Sequence, residues 1–478
     1  MCAFFLGKEK AMEKQFKKGD LQILDIIDLT NEGLGVGKKD NFTIFVDGGL
    51  PGDVAKVKLT EVKKNFAKGE AIQIIEPSKD RIVPRCEYFK ECGGCQLQEL
   101  DYRTQLKLKT NIVKNAIERI GKLEGVKVNE TIGMENPFRY RNKGEFKVGN
   151  GLKGTSIGYF RQKSHDIVQV ERCIIQNDVS DKVTNIVKGF MEEYNISAYD
   201  ERNKTGIIRH VLTRIAKDGK TMVVLVTASN KLPHSEEFVN KITNNIDNVV
   251  SIYQNINTRS TSMVLGEKNI KLYGEDRIVD WVGNFKFYIS PHSFFQVNSI
   301  QTEVLYGKAL ECLDLKGGET VFDLYCGIGT ISLFLSQKAK KVYGVEVVEA
   351  AILDAKENAK LNGVKNVEFF HGTSEETFPS LLKKGIYGDA VVVDPPRKGC
   401  EKEVLNAIVK MAPKKVVYVS CNPATLARDL KYLSDNGYEV LEVQPVDMFP
   451  FTGHVECVVL MSKEISEAII KYATELGV

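Results

Sequence analysis

From about residue 286 onward, the chain alternates continuous apolar runs with helix-like segments. The apolar runs are ETVFDLYCG (319–327), KVYGVEVV (341–348), VEFFHG (367–372), DAVVVDPP (389–396), KKVVYVSC (414–421) and HVECVVLMSK (454–463). Strands that are apolar on both faces and separated by helices form a parallel sheet that helices cover on both sides. Ligands of such sheets bind outside the carboxyl ends of the strands. The alternation therefore predicts a Rossmann-like α/β domain, with its site where these runs end.

The first run leads into DLYCGIGT (323–330), a strand followed by a Gly-x-Gly turn. Such a turn lets the backbone approach a ligand closely. Glu346 ends the next strand about 20 residues on, where a carboxylate can accept hydrogen bonds from ribose hydroxyls. The third glycine of a dinucleotide motif is missing, which favours an adenosine ligand without pyrophosphate. S-adenosylmethionine is the natural candidate, and a tight turn in an unliganded domain stays open as the alternative.

Three reactive side chains fall at the ends of the later runs. Asp394 is followed by two prolines, which stiffen the loop after its strand and remove two backbone donors. Cys421 ends the next run and Glu456 opens the last one. Each has a plain alternative, which is a strand-ending turn, a small buried hydrophobe or a solvated glutamate. Because neighbouring strands end at one edge, we expect all three side chains at the mouth of the ligand site.

Together these side chains suit chemistry on the C5 atom of uracil. A thiolate that adds to C6 places electron density on C5, which can then take a methyl cation. A base must afterwards remove the C5 proton so that the thiol is eliminated. The helix that starts at about residue 424 would bring a positive dipole end close to Cys421, which favours the thiolate.

The length of 478 residues exceeds one hydrophobic core, and the pattern indicates several domains. Short β runs with glycine-rich turns at 14–77 predict a five-stranded, OB-like barrel, in which NEGLGVGKKD (31–40) reads as a turn. Residues 78–285 mix strands and helices as an α+β domain. The Rossmann-like domain then covers 286–463, and a tail helix covers 464–478.

The cysteines form a second pattern. CEYFKECGGC (86–95) spaces three cysteines as C-x5-C-x2-C, and a fourth, Cys173, ends HDIVQVERC. With ten cysteines and no secretion signal, a reducing cytoplasm is expected, where clustered cysteines are metal ligands or catalytic. Four thiolates suit zinc or an iron–sulfur cluster. The asymmetric set favours a [4Fe–4S] cluster held by Cys86, Cys92, Cys95 and Cys173.

Composition restricts the class of protein. No apolar run approaches the length of a membrane span. The formal net charge is only +3, but lysines concentrate in KVKLTEVKKNFAKG (56–69) and QLKLKTNIVKNAIERIGK (105–122). Each run alone is typical of a solvated face, and the two together indicate a surface for a polyanion such as RNA.

These motifs resemble those of the RNA uracil-C5 methyltransferases, a family that includes iron–sulfur 23S rRNA enzymes and the tRNA thymine-forming enzyme. The resemblance covers nearly the whole chain, and its barrel looks like a TRAM domain. The matching motifs, in family order, are the four cysteines, SPHSFFQVN (290–298), DLYCGIGT, GVE (344–346), DPPRKG (394–399), SCNPATLARDL (420–430) and GHVEC (453–457).

The resemblance implies a role for each site residue. Gln296, Tyr325, Glu346 and Asp394 would bind S-adenosylmethionine, Cys421 would be the nucleophile and Glu456 the base. Asp394 would also orient the uracil edge. The segment FRYRNKGEF (138–146) resembles a family segment near the target RNA, so the candidate RNA contacts are Arg139, Arg141 and Lys143. The four cysteines would hold the family's [4Fe–4S] cluster, in a structural rather than a redox role.

The barrel and the cluster favour ribosomal RNA, since the tRNA enzyme of this family lacks both. The expected protein is therefore a monomeric, cytoplasmic 23S rRNA methyltransferase that needs no membrane and no obligate protein partner. Three alternatives remain: a tRNA uridine-C5 methyltransferase, an RNA cytosine-C5 methyltransferase, and a non-catalytic iron–sulfur protein that binds RNA. The Glu456 base argues against the cytosine enzyme, and the intact Cys421, Asp394 and Glu456 argue against the non-catalytic protein.

Overall fold

A computed structural model describes residues 16–30, 32–151, 154–162, 164–260 and 263–463. The tail helix predicted at 464–478 lies outside these ranges. The chain divides into two compact units. The first comprises the described part of Met1–Val83 together with Glu99–Thr104, and the second comprises the described part of Pro84–Gln98 and Gln105–Val478. The predicted domain boundaries stay a prediction.

The first unit is a closed five-stranded barrel with the strand order β1-β2-β3-β5-β4. Its strands are β1 (Leu21–Leu29), β2 (Gly35–Lys39), β3 (Phe42–Asp47), β4 (Val54–Val62) and β5 (Phe66–Glu76). Alternate side chains of each strand point inward, as in the fully buried Ala55 and Val57 of β4. The barrel was predicted, but the assignment of NEGLGVGKKD as a turn was wrong because it contains β2. A Cβ atom on Gly35 would lie 2.6 Å from the carbonyl oxygen of Gly49, so this strand needs glycine to pass so close to the backbone.

The second unit contains a mixed seven-stranded sheet, the central sheet, with the order β12-β11-β10-β9-β6-β7-β8. Its strands are β6 (Lys143–Gly151), β7 (Gly154–Phe160), β8 (Ile167–Gln169), β9 (Ile208–Ile215), β10 (Thr221–Thr227), β11 (Val249–Ile256) and β12 (Lys268–Gly274). The helices α2 (Asp178–Glu193) and α3 (Ser235–Asn245) pack on this sheet, whereas α1 (Tyr102–Arg119) packs in a core of the parallel sheet described next. Phe146 of β6, Phe190 of α2 and Phe238 of α3 are fully buried in one core between the helices and the sheet.

The second unit also contains a predominantly parallel sheet with the order β17-β16-β15-β18-β19-β21-β20. Its strands are β15 (Thr320–Leu324), β16 (Lys341–Glu346), β17 (Val367–His371), β18 (Ala390–Val393), β19 (Lys415–Ser420), β20 (Tyr438–Val446) and β21 (Glu456–Lys463), and a hairpin of β13 (Ile278–Val282) and β14 (Phe285–Ile289) precedes them. Its helices are α4 (Ser299–Leu313), α5 (Thr330–Ser336), α6 (Glu349–Leu361), α7 (Ser374–Lys383), α8 (Lys402–Met411) and α9 (Pro423–Ser434). The predicted doubly wound sheet is therefore confirmed, and its last strand, β21, is antiparallel to both of its neighbours.

Two hydrophobic clusters cover the two faces of this sheet. Val417 and Val419 of β19 point into one cluster, while Val416 and Tyr418 point into the other. Both faces of β19 are therefore buried, which explains why apolar and polar residues do not alternate in the run KKVVYVSC. Within the described ranges, every helix is too short or too polar to cross a membrane.

Candidate active site

The sheet register brings the three predicted reactive side chains to one edge. Val393, the last residue of β18, pairs with Tyr418 of β19, so Asp394 follows one strand where Cys421 soon follows its neighbour. On the other side of β19, Ser420 pairs with Cys457 of the antiparallel β21. The start of β21, at Glu456, therefore lies beside the end of β19.

Burial makes the largest contribution to the pKa shift of each of these three side chains. The charges of neighbouring side chains also affect the pKa values of Cys421 and Glu456. Burial raises the pKa of Glu456 to about 8, with a further contribution from the charge of Asp394. Burial also raises the pKa of Asp394 to about 7. For Cys421, burial and then the charges of Glu456 and Asp394 raise the pKa to about 11. The contribution expected from the positive end of α9 stays a prediction.

One cation at this edge acts in the opposite direction. The charge of Arg397 lowers the pKa of both Cys421 and Glu456, although by less than burial raises it. The backbone carbonyl of Arg397 accepts hydrogen bonds from the Asn422 side chain (3.0 Å) and from the Thr425 hydroxyl (3.2 Å). The loop after β18 is therefore fastened to the first turn of α9, directly after Cys421.

A buried hydrogen-bond network around Asp429 also fixes the loop after β18. One carboxylate oxygen of Asp429, on α9, accepts hydrogen bonds from the Tyr418 hydroxyl (2.7 Å) and from the backbone nitrogen of Cys400 (2.9 Å). Gly399 has a φ of +81°, and a Cβ atom there would lie 2.5 Å from the same carboxylate. Only glycine combines a left-handed backbone with such a close approach to a carboxylate. Gly399 therefore allows the loop to pack directly against α9.

The turn after β15 has the features of a nucleoside cradle. Glu346 accepts hydrogen bonds from the backbone nitrogens of Gly327 (3.1 Å) and Val348 (2.8 Å), which fixes its carboxylate at the end of β16. A Cβ atom on Gly327 would meet nothing within 4 Å, so the backbone faces open space there. One carboxylate oxygen of Asp323 is buried and has no hydrogen-bond partner in the described part of the chain. The open backbone and the orphaned acceptor fit a bound adenosine cofactor.

Two other predicted cofactor residues flank this turn. Tyr325 has a left-handed backbone (φ +68°), and its ring packs against one of the two sheet cores. Gln296 is half-buried in the segment before α4, where its backbone carbonyl accepts a hydrogen bond of 3.0 Å from the Asn142 side chain. Their contacts with a cofactor stay a prediction.

The four predicted metal ligands line one cavity of about 220 Å³ in the second unit. Cys86, Cys92 and Cys95 reach it from an irregular segment, and Cys173 reaches it from the loop before α2. Burial raises the pKa of Cys95 to about 12 and that of Cys173 to about 11. No group of three or more His, Cys, Asp or Glu side chains within the described ranges meets the geometry for holding a metal ion. The structure thus gathers the four thiols but does not show the predicted cluster.

The predicted RNA contacts occupy different environments. Arg139 forms ion pairs with Asp181 (2.7 Å) and Asp178 (2.8 Å) and donates to the carbonyl oxygen of Cys173. Its charge is therefore already neutralised beside the cysteine cavity. Arg141 lines that cavity, and Lys143 pairs with Glu145 at 3.2 Å. Their contact with RNA stays a prediction.

Sequence reasoning left two residues of this site without a role. Asp323 is fully buried below the cofactor turn, and an acidic residue inside an apolar strand was a signal that could have identified it. Arg397 entered the sequence analysis only as part of the motif DPPRKG (394–399). Its electrostatic contact with Cys421 depends on how the loop folds back, and sequence carries no direct signal for that.

Comparisons with known proteins agree with this geometry. A family model described as tRNA (Uracil-5-)-methyltransferase matches residues 101–464, and a TRAM domain model matches residues 15–72. A Clostridium tetani protein named Uncharacterized RNA methyltransferase is 53% identical over 447 residues, which are 93% of this chain and 97% of that protein. A Clostridium acetobutylicum relative, also named as an RNA methyltransferase, is 52% identical and covers 94% of this chain and 98% of its own.

A solved structure extends the comparison to the whole fold. The Pyrococcus abyssi tRNA (uracil-54, C5)-methyltransferase, in complex with S-adenosyl-L-homocysteine, is 30% identical in sequence and superposes with a TM-score of 0.73. The match covers 92% of this chain and 100% of that chain. The barrel and the sheets thus occur together in a protein that binds the demethylated cofactor.

Proposed function

The chain belongs to the tRNA (uracil-5-)-methyltransferase family, and from this premise we propose that it methylates C5 of uridine in 23S ribosomal RNA. An S-adenosylmethionine-dependent RNA uracil-5 methyltransferase with an N-terminal TRAM domain is the class to which it belongs. The observation that carries the mechanism is the β19–β21 register, which sets Glu456 beside the strand end that leads to Cys421.

In the proposed reaction, the Sγ atom of Cys421 forms a bond to C6 of uracil, and the electrons of the C5–C6 double bond move toward C5 and O4. When bound, S-adenosylmethionine would supply the methyl group that C5 takes and would leave as S-adenosylhomocysteine. Glu456 then removes the C5 proton, the C5–C6 double bond forms again, and the bond between C6 and Sγ breaks. The reaction thus ends with Cys421 released as a thiolate and with the former C5 proton on the Glu456 carboxyl group.

The raised pKa values assign protonation states to Cys421 and Asp394 before the reaction. A Cys421 thiol with a pKa of about 11 is protonated in the free protein, so it must release its proton to solvent when substrate and cofactor bind. Asp394 has a pKa of about 7, so a large fraction of it is protonated at neutral pH. We propose that a protonated Asp394 donates a hydrogen bond to a uracil carbonyl oxygen and orients the ring.

The choice of ribosomal RNA rests on the family resemblance of the four cysteines and the barrel. The specific observation that favours transfer RNA is the match to the Pyrococcus abyssi enzyme, named as a tRNA (uracil-54, C5)-methyltransferase, over 92% of this chain. A chain of similar extent can therefore act on tRNA, which weakens the argument that a barrel-bearing member prefers rRNA. A tRNA uridine is accordingly the second candidate substrate.

We also propose that Cys86, Cys92, Cys95 and Cys173 hold a [4Fe–4S] cluster. The support is the donor set itself, since four thiols lie on one cavity of about 220 Å³ and thiolates are the ligands of such clusters. When bound, the cluster would neutralise buried thiolates and join the 86–95 segment to Cys173. An anaerobic preparation that contains zinc and no iron would overturn this assignment.

One assay tests the activity and separates the substrates. The protein is incubated with S-adenosylmethionine and unmodified 23S rRNA or total tRNA, each transcribed with tritium at uracil C5. Release of tritium from 23S rRNA above that from tRNA is the expected result, and the modified position is then mapped. Release from tRNA alone would replace the proposed substrate, and no release from either RNA would refute the function.

We propose further that the enzyme acts as a monomer in the cytoplasm, without an obligate protein partner. Sedimentation equilibrium at micromolar concentration is expected to give a mass near 53.5 kDa. A mass of twice that value would show a dimer instead.

A further inference from the structure

The central sheet carries a second cavity of about 480 Å³, which no predicted site residue lines. Its volume lies in the range of sites that hold a small organic ligand. Lys147 of β6, Phe160 of β7 and His210 of β9 form part of its wall, and Lys147 and His210 are paired across their two strands. The cavity thus lies on the face of the sheet opposite the buried Phe146.

One buried polar atom beside this cavity has unmet hydrogen-bonding capacity. The Nε atom of Arg209, whose side chain is 2% exposed, has no partner in the described part of the chain. Buried polar groups of folded proteins are nearly always hydrogen-bonded. The imidazole of His210, which is only 8% exposed, also lines the cavity.

The walls offer flat surfaces and both kinds of hydrogen-bonding partner. The ring of Phe160 is 38% exposed, and the ammonium of Lys147 lies 5.5 Å from its centre. The guanidinium of Arg209 stacks on Tyr199 at 4.6 Å. Glu201 adds a carboxylate that pairs with Lys147. Aromatic rings and guanidinium planes are the surfaces on which proteins stack unpaired RNA bases.

The hydrogen-bonding groups match guanine better than uracil. Lysine and arginine donors suit the O6 and N7 acceptors of guanine, whereas a carboxylate accepts from its N–H groups. Burial, with the nearby charges of Lys147 and Arg209, lowers the pKa of His210 to about 3. The imidazole is therefore neutral at pH 7 and can donate one hydrogen bond and accept another.

The strand β9 runs from the wall of this cavity to a contact with the segment before α4. Four residues along β9 from His210, Arg214 donates hydrogen bonds to the carbonyl oxygens of Ser293 (2.5 Å) and Pro291 (3.4 Å). That segment leads into Gln296, a predicted cofactor residue. At about 3.3 Å per residue, Arg214 lies about 13 Å along the strand from His210.

We propose that this cavity binds one unpaired guanine nucleotide of the substrate RNA, a few nucleotides from the uridine that meets Cys421. The proposal rests on the proposed function for its RNA ligand. The base would stack on Phe160, with Arg209 and His210 at its edge. The site would then contribute to the choice of substrate, because it reads a base other than the one that is methylated.

The test measures binding without catalysis. Fluorescence anisotropy compares a labelled uridine decamer with decamers in which a single guanosine replaces each position in turn, with no cofactor present. The wild-type protein is expected to bind the best guanosine decamer about 10-fold tighter, as stacking of one base on an aromatic ring allows. Substitution by adenosine or cytidine is expected to give a smaller gain.

Two variants locate the effect. Phe160→Ala, at an exposed position, is expected to abolish the gain from guanosine, and His210→Ala is expected to reduce it. Tyr273→Ala is the matched control, since Tyr273 is an aromatic residue 42% exposed on β12 of the same sheet and does not line the cavity. Equal binding of all decamers by the wild type, or a gain that survives Phe160→Ala, would overturn the proposal.

The two proposals fail separately. A guanosine gain without tritium release from any RNA would refute the methyltransferase proposal and leave the cavity assignment standing. Tritium release without a guanosine gain would refute only the cavity assignment.

Discussion

The edge that carries Cys421 and the cavity lined by four cysteines are built in different ways. Cys421 follows a regular strand, and its neighbours Asp394 and Glu456 arrive through the register of β18 and β21. The cysteine cavity instead joins an irregular segment at 86–95 to Cys173, far along the chain. In the first region the backbone hydrogen bonds of a sheet position a reactive thiol, and in the second region little regular structure positions four thiols.

The two regions are joined by the loop that precedes Glu456. The backbone of Phe451, left-handed at φ +67°, accepts hydrogen bonds from the nitrogens of Gln96 (2.9 Å) and Leu97 (3.0 Å). Its ring lies 5.1 Å from that of Phe138, in a cluster that Cys95 and Cys173 also contact. The segment that follows the cysteines therefore helps to fix the loop that leads to Glu456, the proposed base.

The largest expected effect separates the roles of the two kinds of thiol. Cys421→Ala should lower kcat at least about 10³-fold because it removes the nucleophile, while the iron content and the Tm stay unchanged. Cys173→Ala should instead lower the iron content and the Tm. Cys312→Ala, a buried thiol of α4 outside both regions, is the control for both measurements. If Cys173→Ala leaves both the Tm and the iron content unchanged, the proposal that Cys173 is a structural ligand of the cluster is wrong.

The next largest expected effect is on protein stability, and it concerns the loop that precedes Glu456. The ammonium of Lys109 on α1 lies 2.5 Å from the carboxylate of Asp447, and both side chains are fully buried. Lys109→Met should lower the free energy of unfolding by about 3–5 kcal/mol, because it leaves a buried carboxylate without its cation. Chemical denaturation checks this value. The double variant with Asp447→Leu should recover most of the loss, and no recovery would mean that packing rather than charge dominates.

The sequence was most informative where regular structure determines position. Alternating apolar runs predicted the parallel sheet, and the rule that ligands bind at strand ends placed Asp394, Cys421 and Glu456 at one edge. The direction of the pKa shift of Cys421 could not be predicted in the same way, because burial and the charges of two carboxylates act on the thiol only in the folded arrangement. The role of Phe451 was also hidden, since it depends on backbone contacts with an irregular segment that no periodicity describes.

A smaller effect follows from the pKa of Glu456. Its ordinary value of 4.5 rises to about 8 through burial, and only the ionised form can act as the base. The value of kcat/KM should therefore increase about tenfold per pH unit below pH 7, flatten between pH 7 and 8, and fall above pH 8, because Asp394 loses its proton from about pH 7. Because the folded protein favours the protonated carboxyl, its contribution to stability is complete below about pH 4.5 and is lost as the pH rises through about 8. A pH profile that is flat between pH 5 and 7 would contradict this assignment.

The smallest effect tests the electrostatics at Cys421 alone. S-adenosylmethionine carries a positive sulfonium that S-adenosylhomocysteine lacks, so it should favour the thiolate at this edge. Alkylation of Cys421 by iodoacetamide should be about 3–10-fold faster with bound S-adenosylmethionine than with bound S-adenosylhomocysteine. This difference corresponds to a decrease of at most about one unit in the pKa of Cys421. Mass spectrometry of the modified peptide measures both rates. Equal rates with the two ligands would show that Cys421 lies too far from the sulfonium.

The central claim is that Cys421 and Glu456 perform successive steps on one uracil. Glu456→Gln blocks removal of the C5 proton and therefore elimination of the thiol. A denaturing gel of this variant with S-adenosylmethionine and 23S rRNA should show a covalent protein–RNA complex, in which Cys421 is attached to a methylated uridine. The double variant Glu456→Gln with Cys421→Ala should show no complex. A complex that persists without Cys421, or no complex with Glu456→Gln on an RNA that the wild type methylates, would contradict the account.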